Sequence, residues 1–120
     1  MRIAIAQLDY TIGAFDANHA LMGDAVAVAR AEKADLVVFS ELSTIGYPPG
    51  DLLERNDFVD RNLRQLERVA ALSDDELGLV VGFVDRNTAG HGKGLFNSAA
   101  LCVGGRPVAR PPGSAATAEC

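Results

Sequence analysis

Two short, nearly continuous apolar runs separated by a helix-length segment constrain the fold of this chain most. Residues 3–8 read Ile-Ala-Ile-Ala-Gln-Leu, and residues 35–39 read Asp-Leu-Val-Val-Phe. Short apolar runs without alternation are typical of strands buried in a sheet that is covered on both faces. Residues 17–33 between them have helical spacing, and Asp16 is the predicted N-cap. The pattern therefore predicts two parallel strands connected by a helix.

The following part of the chain predicts a second helix and three more strands. Residues 57–72 give the clearest helix, because apolar side chains recur along one face. Strands are predicted at 79–84, 96–103 and 106–109, with a tight turn at Gly104-Gly105. We expect the first three strands to be parallel with the helices on one face, and the last three to be antiparallel. The predicted fold class is α/β.

Two segments follow neither the helical nor the strand period. Residues 40–51 contain two prolines and two glycines, which predicts a structured loop. Residues 111–120 begin with Pro111-Pro112 and contain no large apolar residue. We expect this tail to be disordered and to lie outside a domain of residues 1–110.

Charge and cysteine content narrow the classes of partner. The chain has 120 residues and a net charge of -5, which argues against a nucleic acid or an anionic membrane as the main partner. Cys102 and Cys120 form neither a disulfide framework nor a metal-ligand pattern, so no metal site is predicted. No signal peptide or membrane span is visible. We therefore expect a cytoplasmic protein.

Glu41 is the residue that best suits a chemical role. It directly follows the apolar run 35–39, and active-site residues gather at the carboxyl ends of parallel strands. Between a strand and a proline-containing loop we expect a partly desolvated carboxylate, which suits a general base. The alternative is an exposed acid that only ends the strand.

The residues around Glu41 resemble the first catalytic motif of the nitrilase, or carbon–nitrogen hydrolase, superfamily. Here the motif reads Glu41-Leu42, then Gly46-Tyr47-Pro48-Pro49, then Asp51-Leu52-Leu53. The last two groups are similar to the glutaminase domain of glutamine-dependent NAD synthetases in particular. Ile45 departs from the threonine common in that family. The opening strand with Ala6-Gln7, the stretch 94–100 (Gly-Leu-Phe-Asn-Ser-Ala-Ala) and the turn Gly104-Gly105-Arg106 extend the resemblance over residues 1 to about 110.

The resemblance implies a fold, a reaction and partners. The fold would be the amino-terminal half of an α-β-β-α sandwich. A Glu-Lys-Cys triad would hydrolyse glutamine, with Glu41 as the base and Tyr47 lining the glutamine pocket. The ammonia would pass to a carboxyl-terminal synthetase domain that uses ATP with Mg²⁺ to convert deamido-NAD into NAD. The complete protein is expected to be a homo-oligomer.

The lysine and the cysteine of that triad have no match in this sequence. Lys93 precedes the expected lysine position, and the family features end where the sequence becomes Pro111-Pro112-Gly113. Cys102 lies in a predicted strand and is interpreted as a core thiol, while nothing near Cys120 would activate it. We therefore expect this chain to be inactive alone, and we interpret it as a truncated or frame-shifted product of a longer gene.

Two other functions and several weaker signals accompany this interpretation. The chain is alternatively part of another nitrilase-superfamily amidase, or a non-catalytic interaction module. Residues 90–94 contain a lysine among glycines but lack the phosphate-loop spacing, so a hairpin loop is predicted. His19 and His91 are expected to face solvent. The arginines of the second helix are expected on its solvated face: Arg61, Arg64 and Arg68.

Overall fold

A computed structural model of the chain describes residues 1–87, 94–109 and 118–119. Its elements follow the predicted order, with two additions: a short 3₁₀-helix after the proline-containing loop and a two-residue strand in the tail. They are β1 (Ile3–Ala6), α1 (Phe15–Ala31), β2 (Leu36–Phe39), the 3₁₀-helix (Gly50–Glu54), α2 (Asn56–Ala70), β3 (Gly78–Arg86), β4 (Leu95–Val103), β5 (Arg106–Ala109) and β6 (Ala118–Glu119). None of the helices described is both long and apolar enough to cross a lipid bilayer.

All strands belong to one mixed sheet. Its order is β1-β2-β3-β4-β5, and β6 also pairs with β4. The pairs β1–β2 and β2–β3 are parallel, whereas β3–β4 and β4–β5 are antiparallel. These pairings confirm the predicted α/β class and the predicted change from parallel to antiparallel strands.

Both helices cover the same face of the sheet. Alternate strand residues, such as Val37 and Leu79, point towards the helices, and they share one core with Met22 of α1 and Leu66 of α2. On the opposite face, four apolar side chains lie side by side on neighbouring strands: Ile5, Val38, Val80 and Leu101. Ile5 in that row is 75% exposed. A helix layer on one sheet is half of the predicted sandwich.

The start of α1 differs from the prediction. Ala14 is the N-cap, with no side-chain capping hydrogen bond, and Asp16 lies in the first turn. The preceding turn is held instead by Asn18, whose amide donates to the Thr11 carbonyl (2.8 Å) and whose carbonyl accepts from the Thr11 N–H (3.0 Å). Asp16 therefore acts through its charge near the helix N-terminus rather than as a cap.

The carboxyl-terminal tail is described at two residues only. Ala118 pairs with Asn97 and Glu119 pairs with Phe96, in an antiparallel arrangement along β4. At these two positions the backbone extends the sheet, and the expectation of a disordered tail outside a domain of residues 1–110 stays a prediction. The rest of the tail, with Cys120, lies outside the described residues, as does the 88–93 segment with His91 and Lys93.

Candidate active site

The loop that carries Glu41 crosses β3 directly over Gly82. A Cβ atom on Gly82 would lie 2.6 Å from the Leu42 nitrogen and 2.7 Å from the Ser40 oxygen, so only glycine permits this crossing. Leu42 has a φ of 51°, a left-handed conformation that is unfavourable for leucine. Gly82 had no predicted role, although a glycine within an apolar strand signals a close backbone approach.

A buried network holds this loop to β3 beyond the end of β2. The Ser43 hydroxyl donates to the Gly82 carbonyl (3.2 Å) and accepts from the Gly82 N–H (3.0 Å). The Thr44 hydroxyl donates to the carbonyl of the Asn62 side chain (2.7 Å). The Asn62 amide in turn binds both the carbonyl (2.7 Å) and the N–H (3.0 Å) of Val84. These side chains form the hydrogen bonds that the main-chain groups of β3 cannot form with β2, because β2 has already ended. They also hold the loop after Glu41 rigidly.

Glu41 and Tyr47 line one cleft of about 310 Å³. Tyr47 precedes a cis peptide bond to Pro48, and its side chain is 65% exposed at the mouth of the cleft. The other lining residues are Leu42, Pro48, Pro49, Gly50, Leu53 and Asn97. The structure thus brings together the two site residues that the sequence predicted, although they are separated by a loop.

Asn97 is a member of this site for which the sequence analysis gave no role. Its side-chain amide donates a hydrogen bond to the Glu41 carboxylate. Asn97 lies on β4, opposite Val84 of β3, and therefore on the face that the Glu41 loop crosses. The available signal was a polar amide in a mostly apolar strand, within the family-like stretch 94–100.

The expected partial desolvation of Glu41 is wrong for this chain. Glu41 is exposed, while the next residue, Leu42, is buried. The reason is the path of the backbone: the loop rises over Gly82 after β2 ends, which places Leu42 against the sheet and leaves the Glu41 side chain in the open cleft. Within the described part of the chain, the Asn97 side-chain amide hydrogen-bonds to the Glu41 carboxylate.

Cys102 is remote from Glu41. It is fully buried and pairs with Leu79, so it faces the helices, whereas Asn97 lies five positions earlier on the opposite face of β4. Five strand residues span roughly 17 Å. Burial, and next the negative charge of Glu67, raise the pKa of the Cys102 thiol to about 11. The predicted core thiol is confirmed.

Because its pKa is raised, Cys102 is expected to react slowly with thiol reagents in the folded chain. At pH 8 a thiol of pKa about 11 has roughly 100-fold less thiolate than an ordinary cysteine, before any steric protection. The measurement is the rate of reaction with Ellman's reagent in a Cys120→Ser variant, with and without 8 M urea as the unfolded control. Equal rates in both conditions would contradict the buried assignment.

The same pKa shift predicts a loss of stability in alkali. The native state holds the Cys102 proton more tightly than the unfolded state, so the free energy of unfolding falls between pH 9 and 11, by up to ~1.4 kcal/mol per pH unit. Below pH 8 this contribution is fully present. Cys102→Ala is the matched variant, and it should reduce the alkaline slope in urea titrations.

Arg61, Arg64 and Arg68 are exposed, as predicted, and two of them also contact residues of α1. The Arg61 guanidinium lies 4.5 Å from the centroid of the Phe15 ring. The Arg68 guanidinium donates to the Asp16 carboxylate at 2.9 Å and to the side-chain oxygen of Gln65 at 3.2 Å. Their long side chains cover the groove between α1 and α2, which helical spacing alone did not reveal.

The side chains that could ligate a metal are dispersed in the described part of the chain. No group of three His, Cys, Asp or Glu residues gathers there. His19, on α1, is half-buried rather than solvent-facing. The expectation of a site without metal stays a prediction.

Comparison with known sequences places this cleft in a family context. Residues 2–106 match the family described as carbon-nitrogen hydrolase. A glutamine-dependent NAD(+) synthetase from Acinetobacter baylyi is 36% identical over 104 residues, which cover 87% of this chain and 18% of that protein. A glutamine-dependent NAD(+) synthetase from Thermotoga maritima is 36% identical over 107 residues, which cover 88% of this chain and 18% of that protein. The chain therefore spans about a fifth of the length of these relatives.

Solved structures share the same arrangement of helices and strands. The glutamine-dependent NAD+ synthetase from Acinetobacter baumannii, solved with ADP, superposes with a TM-score of 0.78 at 32% identity, over 92% of this chain and 20% of that one. An amidase from Nesterenkonia sp. superposes with a TM-score of 0.75 at 23% identity, over 92% of this chain and 41% of that one. The second likeness is one of fold alone.

Proposed function

Because the chain belongs to the carbon–nitrogen hydrolase family, we propose that it forms the Glu41-bearing part of the glutaminase of a glutamine-dependent NAD synthetase. The observation that carries this proposal is the cleft in which Glu41 and Tyr47 meet. Relatives that match 87% and 88% of this chain are glutamine-dependent NAD synthetases, which supports the choice of substrate.

The proposed reaction hydrolyses the side-chain amide of glutamine. Glu41 takes the proton of a cysteine thiol, and the thiolate attacks the amide carbon. Glu41 returns the proton to the amide nitrogen, which leaves as ammonia, and water then hydrolyses the thioester to glutamate and restores the thiol. The cysteine and the lysine of the triad would come from the part of the relatives that lies beyond the matched segment. Cys102 is unsuited to this role because it is buried on the other face of the sheet.

Tyr47 is proposed to form one wall of the glutamine site. Its exposed ring and the prolines that follow it line the cleft beside Glu41. An aromatic ring can cover the aliphatic part of glutamine while the phenol hydroxyl remains available for a hydrogen bond. Leu53 supplies a second apolar surface on the same cleft.

The remaining partners belong to the complete protein. We propose that the ammonia passes to a synthetase domain, where ATP with Mg²⁺ supports the conversion of deamido-NAD into NAD. No residue of the present chain is assigned to ATP or Mg²⁺. A homo-oligomeric, cytoplasmic enzyme is part of the same proposal, supported by the likeness to the NAD synthetases named above.

A chimaera tests this function. Residues 1–106 of this chain replace the matched amino-terminal segment of the Acinetobacter baylyi enzyme, and NAD formation is measured with glutamine and with ammonium chloride. We expect glutamine-dependent activity within about tenfold of the parent enzyme, or ~1.4 kcal/mol in the barrier. Full activity with ammonium but none with glutamine would contradict the proposal. Ammonia release from acetamide but not from glutamine would favour the alternative amidase function.

A further inference from the structure

We propose that Asn97 is a positioning residue that holds the Glu41 carboxylate in the orientation in which it accepts a proton. The inference rests on the proposed function, since it assigns Asn97 a part in the work of Glu41. It is carried by the hydrogen bond from the Asn97 side-chain amide to Glu41 Oε1, and by the place of both residues on the same cleft.

The two partners differ in how firmly the backbone holds them. Asn97 is within β4, where it pairs with Val84 on one side and with Ala118 on the other. Glu41 is at the start of a loop and its side chain is exposed, so on its own it would sample several rotamers. The Asn97 amide, which is held on a strand paired on both sides, selects one of these Glu41 rotamers. The carboxylate is thereby aimed before any substrate arrives, which is the condition for efficient proton transfer.

The chemistry of the amide suits this role better than a charged donor would. An ammonium or a guanidinium beside a carboxylate strongly favours its charged form and makes it a poorer base. The Asn97 amide is neutral, donates to Oε1 and does not occupy Oε2 of Glu41, which can receive the proton. Asn97 neither gains nor loses a proton at neutral pH, so its contribution acts through Glu41.

The backbone geometry separates this role from a structural one. The β-ladder at position 97 is formed by main-chain groups, so an alanine there keeps the strand pairing while it removes the donor. Ser98, the adjacent residue, is buried on the opposite face of β4, and its hydroxyl has no hydrogen-bond partner among the described residues. Ser98→Ala is therefore a matched control on the same strand.

Kinetics of the chimaera test the proposal. Asn97→Ala is expected to lower kcat with glutamine about 10- to 100-fold, as expected for a misplaced catalytic group. KM should change less than about threefold, and ammonium-dependent NAD formation should not change. Ser98→Ala should leave all three quantities unchanged. A parallel loss of ammonium-dependent activity, or a loss confined to KM, would overturn the positioning role.

A double-mutant cycle shows whether Asn97 acts through Glu41. Glu41→Asp retains a carboxylate that is too short to meet the Asn97 amide, and it should leave measurable turnover. In that background Asn97→Ala should cause no further loss, whereas an equal loss in both backgrounds would overturn the proposal.

Nuclear magnetic resonance of the 120-residue chain separates failure of this inference from failure of the proposed function. The Asn97 side-chain amide resonances of Glu41→Ala should differ from those of the unsubstituted chain, because the acceptor is lost, whereas Glu54→Ala should leave them unchanged. Identical Asn97 resonances in Glu41→Ala and in the unsubstituted chain would overturn the contact itself. If the contact is present but Glu41→Gln leaves glutamine hydrolysis by the chimaera intact, the proposed role of Glu41 is wrong, and the role of Asn97 with it.

Discussion

In the chimaera, Glu41→Gln is expected to abolish NAD formation from glutamine and to leave NAD formation from ammonium chloride unchanged. Glutamine at position 41 has nearly the shape of glutamate and can still accept the Asn97 hydrogen bond. It cannot take a proton from a thiol, so the loss should reach ~100- to 10,000-fold and fall on kcat rather than on KM. Ammonium bypasses the amide hydrolysis and therefore the need for this base.

Glu54→Gln is the matched control for that substitution. Glu54 is an exposed glutamate at the end of the 3₁₀-helix and does not line the cleft with Glu41. Glu54→Gln changes the net charge by the same amount as Glu41→Gln. Because Glu54 is outside the cleft, the glutamine- and ammonium-dependent activities should both stay at the unsubstituted level. If Glu41→Gln reduced the glutamine- and ammonium-dependent rates by the same factor, the acid would have a structural role and the assignment of the base would be wrong.

Gly82→Ala is expected to destabilise the chain and to displace the loop that carries Glu41. The added methyl would lie 2.6 Å from the Leu42 nitrogen and 2.7 Å from the Ser40 oxygen, and both are backbone atoms that cannot rotate away. Overpacking of this kind costs ~1–3 kcal/mol in the free energy of unfolding. The backbone on either side of Glu41 must move, so the chimaera should also lose glutamine-dependent turnover. Urea denaturation of the 120-residue chain measures the first effect.

Gly23→Ala is the same chemical change as Gly82→Ala, but we expect it to raise the free energy of unfolding. A Cβ on Gly23 would meet nothing within 4 Å, and the residue lies inside α1. Alanine should stabilise this helix by ~0.5–1 kcal/mol because it restricts the unfolded chain and favours the helical backbone. Equal urea midpoints for the two variants would show that the loop does not cross β3 at Gly82.

Much of the fold could be predicted because its signals are local. Apolar runs at the first two strands and the apolar stripe of α2 report burial within a few consecutive residues. The change from parallel to antiparallel strands followed from the connections, since a helix joins β2 to β3 and Gly104-Gly105 joins β4 to β5. The start of α1 was misplaced because Asp16 fits a capping pattern, while Asn18 and Thr11 make the hydrogen bonds that hold the turn.

The order of the predicted elements, the α/β class and the likeness that singled out Glu41 and Tyr47 could all be read from consecutive residues. How Glu41 is presented depends on the folded chain: it is exposed, lies above Gly82 and is bound by Asn97. Glu41 and Asn97 are 56 positions apart, and their contact depends on the register of β4 against β3. Local periodicity reports which face of a strand is buried, but it contains no information about which distant residue lies opposite. That register is set by the packing of the whole sheet.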